Sequence, residues 1–355
     1  MASAPAPFAK ASTGDRPAID LPASVAGSVA AIVTAAAIFL GSRRLRTFDA
    51  ALVGYATATI FLAFGVAYRY VTWVRSPPAM RYLRRGWRSF FSVRNFRRFP
   101  TLAPKAVVSN LTFQTFIARR GRGRWLAHQS VFWGVVLATL ITFPLTFGWI
   151  AFEAAGSGSR YAIVVWGVST VTFDPVSWLG WLIFHALDIA AVLVLLGCAF
   201  FLWRRFRDRE PAAGQRFGYD FLPLVALVAI SVTGLLLTLS SALLDGEGYE
   251  FLAIIHMATV VLTLVFIPFG KFFHVIQRPA SVGVEVYKRT SIDRDGVVSC
   301  RRCGEPLEAA AFVEDLEATM GELGLRYGEW IETCPRCKRL ARGQAYLREV
   351  NRGFG

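Results

Sequence analysis

Charged residues are scarce in this chain, and acidic residues are the scarcer kind. Only 18% of the 355 residues are charged and 54% are hydrophobic, with 24 Asp or Glu against 39 Lys or Arg. A soluble domain carries about a quarter charged residues, so the composition argues against an ordinary soluble enzyme. The basic residues cluster beside apolar runs, which is typical of membrane topology signals and not of a nucleic-acid-binding face. We therefore expect no nucleic-acid partner.

Long apolar runs are abundant, and six of them can cross a bilayer. A spanning helix needs about 20 mostly apolar residues, because the hydrocarbon core is about 30 Å thick. The sequence therefore predicts an all-α, polytopic transmembrane helical bundle, with membrane lipid around it and a small C-terminal metal-binding domain. The six predicted spans are 25–41, 50–74, 128–151, 177–203, 219–244 and 251–274.

The distribution of Lys and Arg between the loops predicts the orientation. Segment 75–127 holds thirteen Lys or Arg and no acid, and loop 204–218 holds five Arg and two acids, so both are expected in the cytoplasm. Connections 152–176 and 245–250 are poor in basic residues and are expected outside. A short arginine-rich turn after the first helix violates this scheme but is outweighed. We expect an integral protein of the prokaryotic plasma membrane with both termini cytoplasmic.

These features divide the chain into five predicted regions. They are an N-terminal tail (1–24), two accessory helices (25–74), a basic loop (75–127), a core of four helices that carries the four histidines (128–278) and a cytoplasmic tail (279–355). The N-terminal tail lacks the basic start and short apolar region of a cleaved signal peptide. The basic loop contains many aromatic residues, which is typical of amphipathic helices in the headgroup layer or of a partner-docking surface.

The four histidines sort by predicted depth into two pairs. His256 and His274 are 18 residues apart on one predicted helix, which is about 27 Å and five whole turns, so both leave the same helix face. His128 is expected near the inner boundary and His185 in the outer half. The sequence therefore predicts an inner pair, His128 with His274, and an outer pair, His185 with His256.

Such pairs are what two stacked b-type haems require as axial ligands. A lone histidine on an apolar helix is more often a packing residue. Ionisable side chains inside a membrane are nevertheless rare and point to function. Two haems at these depths would form an electron path across the bilayer.

The residues around these histidines carry a family resemblance. They are the His256-Met-Ala-Thr stretch, the run Ile267 to His274 (IPFGKFFH), the following Arg278-Pro-Ala, and Trp125 to His128 with Phe132-Trp-Gly. Together they resemble the respiratory nitrate reductase gamma-subunit superfamily of dihaem membrane cytochromes b. This superfamily includes the heterodisulfide-reductase-type membrane subunits, and the resemblance covers about residues 125–280.

The resemblance implies a cytochrome b subunit of a respiratory oxidoreductase complex. It would transfer electrons between quinone or menaquinone and cytoplasmic iron–sulfur or catalytic subunits, through two b-type haems. It implies ligand roles for His256 and His274, and for His128. The family places its first two ligands about ten residues apart on one helix, whereas the third span here has no second histidine, so an outer haem would require His185.

Three further polar residues lie near the histidines. Asp188 shares a helix face with His185 and is a candidate proton acceptor in quinol oxidation, or else bonds a Ser or Thr of a neighbouring helix. Lys271 and Arg278 flank His274. They are candidates to neutralise haem propionates, or else they extend into the headgroup layer as lysines and arginines commonly do.

Four of the five cysteines form a CxxC-x30-CxxC pattern, a strong signature of a four-thiolate metal centre. They are Cys300, Cys303, Cys334 and Cys337, and two hairpins are expected to present them to one ion in a zinc-ribbon- or rubredoxin-like tail. Zinc is favoured over a rubredoxin-type iron, because the segment 306–327 has the pattern of an amphipathic helix that rubredoxin lacks.

A rival function comes from another class of protein. In a transporter or a membrane scaffold the histidines would serve as proton-relay or packing groups and the tail as a docking module. Transporters commonly show internal repeats, and no convincing repeat is evident in this sequence. Residues for substrate chemistry beyond electron and quinone handling are not evident either, so we expect an electron-transfer subunit.

Overall fold

The structure is a computed structural model that describes residues 19–46, 48–156, 159–207, 217–325 and 327–353. These residues form two compact units. The first, which we call the membrane unit, comprises residues 21–70 and 113–275. The second, which we call the cysteine unit, comprises residues 19–20, 71–112 and 276–353. Most of the predicted N-terminal tail lies outside the described residues.

Helices dominate both units. In chain order they are α1 (Leu21–Gly41), α2 (Val53–Val74), α3 (Pro77–Phe90), α4 (Val93–Arg98), α5 (Leu102–Val107), α6 (Thr115–Ala118), α7 (Arg122–Thr146), α8 (Trp178–Phe184), α9 (Ala186–Arg207), α10 (Leu222–Leu243), α11 (Tyr249–Phe266), α12 (His274–Asp295), α13 (Ala310–Glu322) and α14 (Pro335–Gly353). The strands are β1 (Ile150–Ala154), β2 (Tyr161–Val165), β3 (Val168–Phe173), β4 (Val297–Ser299) and β5 (Pro306–Ala309). Within the described residues, six helices are long and apolar enough to cross a membrane, namely α1, α2, α7, α9, α10 and α11. The predicted helical membrane bundle is confirmed.

The fourth predicted span, 177–203, is broken in the structure. The short helix α8 ends at Phe184, and the spanning helix α9 begins at Ala186, with His185 at the junction (φ −101°, ψ 7°). The Ser177 side chain caps α8 by accepting from the Gly180 N–H at 3.1 Å. His185 therefore lies at the start of the spanning helix α9, and not inside one continuous helix over 177–203.

The last predicted span, 251–274, is also shorter. Helix α11 ends at Phe266, and His274 begins a separate helix. Pro268 has no N–H to donate, so it removes one helical hydrogen bond just after this end. The prediction that His256 and His274 share one helix face is therefore wrong.

The turn after α11 is held by residues of α2. The Arg69 guanidinium donates to the carbonyl groups of Pro268 and Gly270, and it lies 4.3 Å from the ring centroid of Phe273. Gly65 leaves room for the proline ring, since a Cβ at that position would lie 2.7 Å from Pro268 Cγ. The carbonyl groups of Pro268 and Gly270 lie beyond the end of α11 and outside its hydrogen-bond pattern. Arg69 donates hydrogen bonds to both, as buried backbone groups require.

Helices α7 and α9 pack through small residues. A Cβ on Gly134 would lie 2.8 Å from the Ala190 carbonyl oxygen, and a Cβ on Gly197 would lie 2.5 Å from the Ala127 carbonyl oxygen. The two backbones are therefore in direct contact, as is common where lipid provides no hydrophobic force between helices. These contacts also show that the helices are antiparallel, with residue 127 level with 197 and residue 134 level with 190.

Helix α10 lies between α9 and α11. The Thr238 hydroxyl donates to Asp188 Oδ1 on α9 at 2.8 Å. Thr233 Oγ1 lies 2.9 Å from His256 Nδ1 on α11. Two polar contacts thus join three successive spanning helices.

An antiparallel sheet with strand order β1-β2-β3 occupies the end of the predicted span 128–151 and much of the predicted connection 152–176. Trp166 and Gly167 connect β2 to β3, and both have positive φ, 51° and 83°. A two-residue turn of this kind matches the twist of a hairpin. Trp166 also stacks on Trp149 at 6.0 Å, so the turn packs against the chain that leaves α7.

In the cysteine unit, α3 and α12 cross at two glycines. A Cβ on Gly86 would lie 2.8 Å from the backbone of Gly283, and a Cβ on Gly283 would lie 2.7 Å from that of Gly86. Helix α3 belongs to the predicted basic loop 75–127, whereas α12 leads into the predicted tail 279–355. The structure joins most of these two regions in one unit, so its division of the chain differs from the predicted domains.

A buried carboxylate ties three helices of this unit together. Asp315 on α13 is 1% exposed and accepts the Tyr287 hydroxyl of α12 at 2.7 Å. The Arg85 guanidinium of α3 lies 2.9 Å from the same carboxylate. Burial and this hydrogen bond raise the pKa of Tyr287 to about 12, so the phenol stays protonated and donates. A buried carboxylate is tolerated only when it is paired in this way.

We expect Gly86→Ala to destabilise the cysteine unit and Gly321→Ala to stabilise it. A methyl group on Gly86 meets the backbone of Gly283, and overpacking of this kind costs about 1–3 kcal/mol. Gly321, near the end of α13, has open space around it, so the better helix propensity of alanine contributes up to about 1 kcal/mol. The apparent Tm of the purified protein measures both changes, and shifts of the same sign and size would contradict the glycine crossing.

Candidate functional site

Four cysteines of the cysteine unit converge on one point. The sulfur atoms of Cys300, Cys303, Cys334 and Cys337 all lie within 4.8 Å of one another, and those of Cys303 and Cys334 are 3.7 Å apart. A zinc ion holds four thiolates at about 2.3 Å in a tetrahedron, which puts the sulfurs about 3.8 Å apart. The predicted four-cysteine cluster is therefore confirmed, and its spacing fits a tetrahedral metal ion.

The first pair lies on a hairpin. Cys300 and Cys303 occupy the turn between β4 and β5, which is closed by hydrogen bonds from the Cys300 N–H to the Glu305 carbonyl at 2.8 Å and from the Gly304 N–H to the Cys300 carbonyl at 2.9 Å. Gly304 has a positive φ of 71°, which glycine adopts without strain. Leu307 packs against the cluster from the following strand.

The second pair lies at the start of a helix. Cys334 precedes α14, Pro335 is its first residue and Cys337 lies in its first turn. Proline favours this first position, because its missing N–H has no helical partner there. The prediction that Cys334 and Cys337 lie on a second hairpin, as in a ribbon- or rubredoxin-like tail, is therefore wrong. The positive end of the helix dipole instead stabilises sulfur atoms that carry negative charge.

The thiol pKa values show why this cluster needs a cation. A hydrogen bond from the Cys334 N–H lowers the pKa of Cys300 to about 6. The hydrogen bond of its thiol to Cys334, followed by burial, raises the pKa of Cys337 to about 12. Near neutral pH the sulfurs thus do not all ionise by themselves, and a bound metal ion supplies the charge that stabilises four thiolates together.

The four predicted haem ligands all lie in the membrane unit. His128 is on α7 next to Ala127, at the contact with α9, and it is half-buried. His185 lies at the junction before α9, His256 lies within α11, and His274 begins α12. The histidines are therefore carried by four different elements of the membrane unit.

The surroundings of His256 determine which ring nitrogen carries the proton. Its Nδ1 lies 2.9 Å from Thr233 Oγ1. The Thr233 hydroxyl proton is shared with carbonyl groups of its own helix, those of Ala229 at 2.7 Å and Ile230 at 3.1 Å. The hydroxyl oxygen therefore accepts from Nδ1–H, and the lone pair is on Nε2. The ring packs beside Gly234, where a Cβ would lie 3.4 Å from His256 Cε1, an ordinary van der Waals contact.

His185 and His274 have the same tautomer for a simpler reason. Nδ1 of His185 lies 2.9 Å from the Trp181 carbonyl oxygen, and Nδ1 of His274 lies 2.6 Å from the Lys271 carbonyl oxygen. A carbonyl oxygen only accepts, so Nδ1 must carry the proton in both rings. The His185 ring also stacks on the Trp181 ring, with centroids 4.7 Å apart.

Three of the four histidines thus have an Nδ1–H donor bound to a fixed oxygen and a lone pair on Nε2. A hydrogen bond at one ring nitrogen orients the imidazole and makes the other nitrogen a better ligand for iron or another metal. The same hydrogen bonds satisfy a polar group in an apolar medium. The residues present therefore fit the axial ligands of a haem.

The helix contacts place three of the histidines at levels along α9. His128 follows Ala127, which is level with residue 197, so it lies near the level of residue 196. The pairing of Thr238 with Asp188 puts Thr233, and with it His256, near residue 193. At about 1.5 Å per residue, His128 and His256 differ in depth by only about 5 Å, whereas His185 lies about 12 Å from the level of His256.

His274 lies farther inward along the bundle. It follows the end of α11 and the turn, and Lys271 just before it pairs with Asp220 near the start of α10 at 2.7 Å. Asp220 is about ten residues from the level of His128, which corresponds to about 15 Å of helix rise. The structure therefore brings His128 nearest in depth to His256, and not to its predicted partner.

The remaining predicted residues have ordinary partners. Asp188 accepts the hydroxyl of Thr238, which agrees with the expected bond to a neighbouring helix. The charge of Lys271 is balanced by Asp220, so it is not a free cation for a haem propionate. Arg278 belongs to the cysteine unit, whereas His274 belongs to the membrane unit.

Sequence reasoning missed Thr233, Gly234 and Arg69. Thr233 supplies the acceptor of His256, Gly234 packs beside its ring, and Arg69 holds the turn before His274. Each acts on a residue that is distant in the sequence. The available signals were the Thr233-Gly234 pair in the middle of α10 and an arginine within the last turns of α2.

Comparison with known protein families, with characterised proteins and with solved structures gave no match. The chemistry of both sites therefore follows from the residues of this chain alone.

We expect the purified protein to hold one metal ion per chain at the four cysteines. Cys334→Ser should lower the metal content to near zero, because a neutral hydroxyl replaces a buried thiolate ligand. Cys198→Ser is the matched control, since Cys198 is also buried but lies on α9 in the membrane unit. Elemental analysis measures both variants, and an equal loss of metal in the two would contradict the assignment.

Proposed function

We propose that this chain is a membrane cytochrome b subunit of a respiratory oxidoreductase, which transfers electrons between quinone and a partner on the cytoplasmic side. The observation that carries the proposal is the set of three membrane histidines with a fixed Nδ1–H donor and a lone pair on Nε2. Haem, when bound, supplies a one-electron carrier inside the bilayer. The protein supplies the neutral imidazoles and holds their orientation.

The depths of the histidines bear on which of them act together. The sequence predicts two haems, held by His128 with His274 and by His185 with His256. Axial ligands of one haem lie on opposite sides of the iron, so ligands at similar depth suit a haem that stands upright in the bundle. The difference of about 5 Å between His128 and His256 favours these two as one pair. The haem content of histidine variants can show whether His128 shares a haem with His256 or with His274.

An apolar groove on α10 suits a quinone ring and its tail. The groove has a volume of about 530 Å³ and is lined by apolar residues between Val232 and Leu243, with Thr238 as its polar member. Ligand sites of this kind combine an apolar wall with a few polar groups. The Thr238 hydroxyl donates to Asp188, so a proton released by a quinol at Thr238 would have a carboxylate within one hydrogen bond.

The cysteine unit would serve the complex as a folded domain for its iron–sulfur or catalytic partner. We assign zinc to its four cysteines, because the helix α13 (Ala310–Glu322) lies between the two cysteine pairs and rubredoxin lacks a helix of that kind. Zinc has no redox chemistry. Its role is then to stabilise a small domain, and electrons would not pass through it.

The haem content of histidine variants tests the proposal and the pairing together. We expect b-type haem in the unmodified protein and the same loss in His128→Ala, His256→Ala and the double variant, because one haem loses an axial ligand in each case. If the predicted pairing holds instead, the His128→Ala/His256→Ala double variant should lose twice as much haem as either single variant. Gln129→Ala is the control, since Gln129 neighbours His128 on α7 and bonds the Phe113 carbonyl. Haem per chain is measured by the haemochrome assay.

The metal content per chain, which depends on the four cysteines, shows whether each variant is folded. Full haem content in all four single histidine variants would contradict the ligand assignment. Absence of haem from unmodified protein, produced with adequate haem supply, would contradict the cytochrome and favour a transporter or scaffold.

A further inference from the structure

An apolar groove of about 590 Å³ lies on the cysteine unit, between the end of α3 and the helices α4 and α5. All of its lining residues are apolar. Three of them are strongly exposed to solvent, namely Phe91 at 72%, Val93 at 66% and Phe96 at 57%. Large exposed apolar side chains gathered in one place mark a surface that contacts another apolar phase.

The floor of the groove is part of a packed core. Phe90 and Val107 line the groove, and both also pack against the buried residues Ala106, Val282 and Val286. The groove is therefore a fixed feature of the folded unit.

Basic residues accompany the apolar ones. Arg88, Arg94, Arg97 and Lys105 are exposed, and within the described part of the chain none of the four forms an ion pair with a carboxylate, whereas Arg98 pairs with Asp293 at 2.5 Å. No acidic residue occurs between positions 75 and 127. The groove thus combines apolar walls with cations that the protein itself does not neutralise.

The helix geometry sets these two kinds of residue side by side. On α4, Val93 and Phe96 are three residues apart and share one face. Arg94 and Arg97 each follow by one residue, so they form a second row beside the first. An apolar row flanked by a basic row is the pattern of helices that lie at a membrane surface.

We propose that this groove binds anionic phospholipid, with acyl chains against its apolar walls and the headgroup phosphate against the four cations. The chain leaves the spanning helix α2 at Val74, only sixteen residues before Phe90, so the groove is tethered close to a bilayer. Lys and Arg at such positions are attracted to anionic headgroups. This site is independent of electron transfer.

Lipid fits this surface better than a protein partner does. A protein interface is recognised through polar groups around an apolar centre. The lining of this groove offers no side-chain hydrogen-bonding group, and the rim offers charge of one sign only. A phospholipid needs no more than these two features.

The test uses the full-length protein, purified in neutral detergent and stripped of lipid. Native mass spectrometry follows the binding of dioleoyl phosphatidylglycerol and of dioleoyl phosphatidylcholine. We expect the anionic lipid to bind more tightly, and Arg94→Gln/Arg97→Gln to weaken its binding about tenfold or more. Phosphatidylcholine binding should not change. Phe91→Ser/Phe96→Ser should weaken the binding of both lipids.

The matched control is Arg342→Gln/Arg348→Gln. These two arginines are exposed on α14 of the same unit, so the change in net charge is the same but lies away from the groove. An equal loss of phosphatidylglycerol binding in the two arginine variants would overturn the proposal, because net charge alone would explain it. Equal binding of the two lipids by the unmodified protein would also overturn it. Metal content confirms that each variant is folded.

Discussion

Hydrocarbon offers no hydrogen-bond partner, and the membrane unit is organised around that constraint. Backbone groups are satisfied within the spanning helices, and where Pro268 interrupts α11, Arg69 binds the freed carbonyl groups. The histidines obey the same rule. Three of the four rings have an Nδ1 acceptor, and the acceptors are Thr233 and two backbone carbonyls. The hydrogen bond that makes burial tolerable also fixes the tautomer, and so the lone pair lies on Nε2.

The cysteine unit meets a different constraint, because its apolar core is small. Its helices are joined by one buried carboxylate, Asp315, which Arg85 and Tyr287 neutralise and bond. Its hairpin and last helix are joined by the four sulfurs, which need a cation to ionise together. The basic segment before α7 thus serves two purposes. Some of its arginines pair inside the unit, and others stay exposed beside the groove formed by α3, α4 and α5.

The parts of the structure that depend on local sequence could be predicted. A run of about 20 apolar residues is stable in a bilayer as a spanning helix, so the six spans could be predicted from the sequence. Four cysteines in CxxC pairs have one common use, so their convergence was found as well. In both cases the chemistry is contained in a short stretch or in the spacing of a few residues.

The parts that depend on distant residues could not be predicted. A proline within an apolar run often only kinks a helix. Helix α11 ends near Pro268 because Gly65 of α2 leaves room for the proline ring and Arg69 of α2 bonds the carbonyl groups of the turn. The strands β1 to β3 are five or six residues long, too short for a clear periodic pattern. The acceptor of His256 lies 23 residues away on another helix. For the same reason the histidine pairing inferred from one continuous helix does not match the depths in the structure.

The central claim is that the membrane unit carries electrons between quinone and a partner on the cytoplasmic side. The most direct measurement is the visible absorption spectrum of the unmodified protein in liposomes, recorded before and after a menaquinol analogue is added. We predict that the α and Soret bands of a reduced, low-spin b-type haem with two histidine ligands appear on addition of the quinol. A spectrum without haem bands, from protein that holds its full metal content at the four cysteines, would contradict the claim.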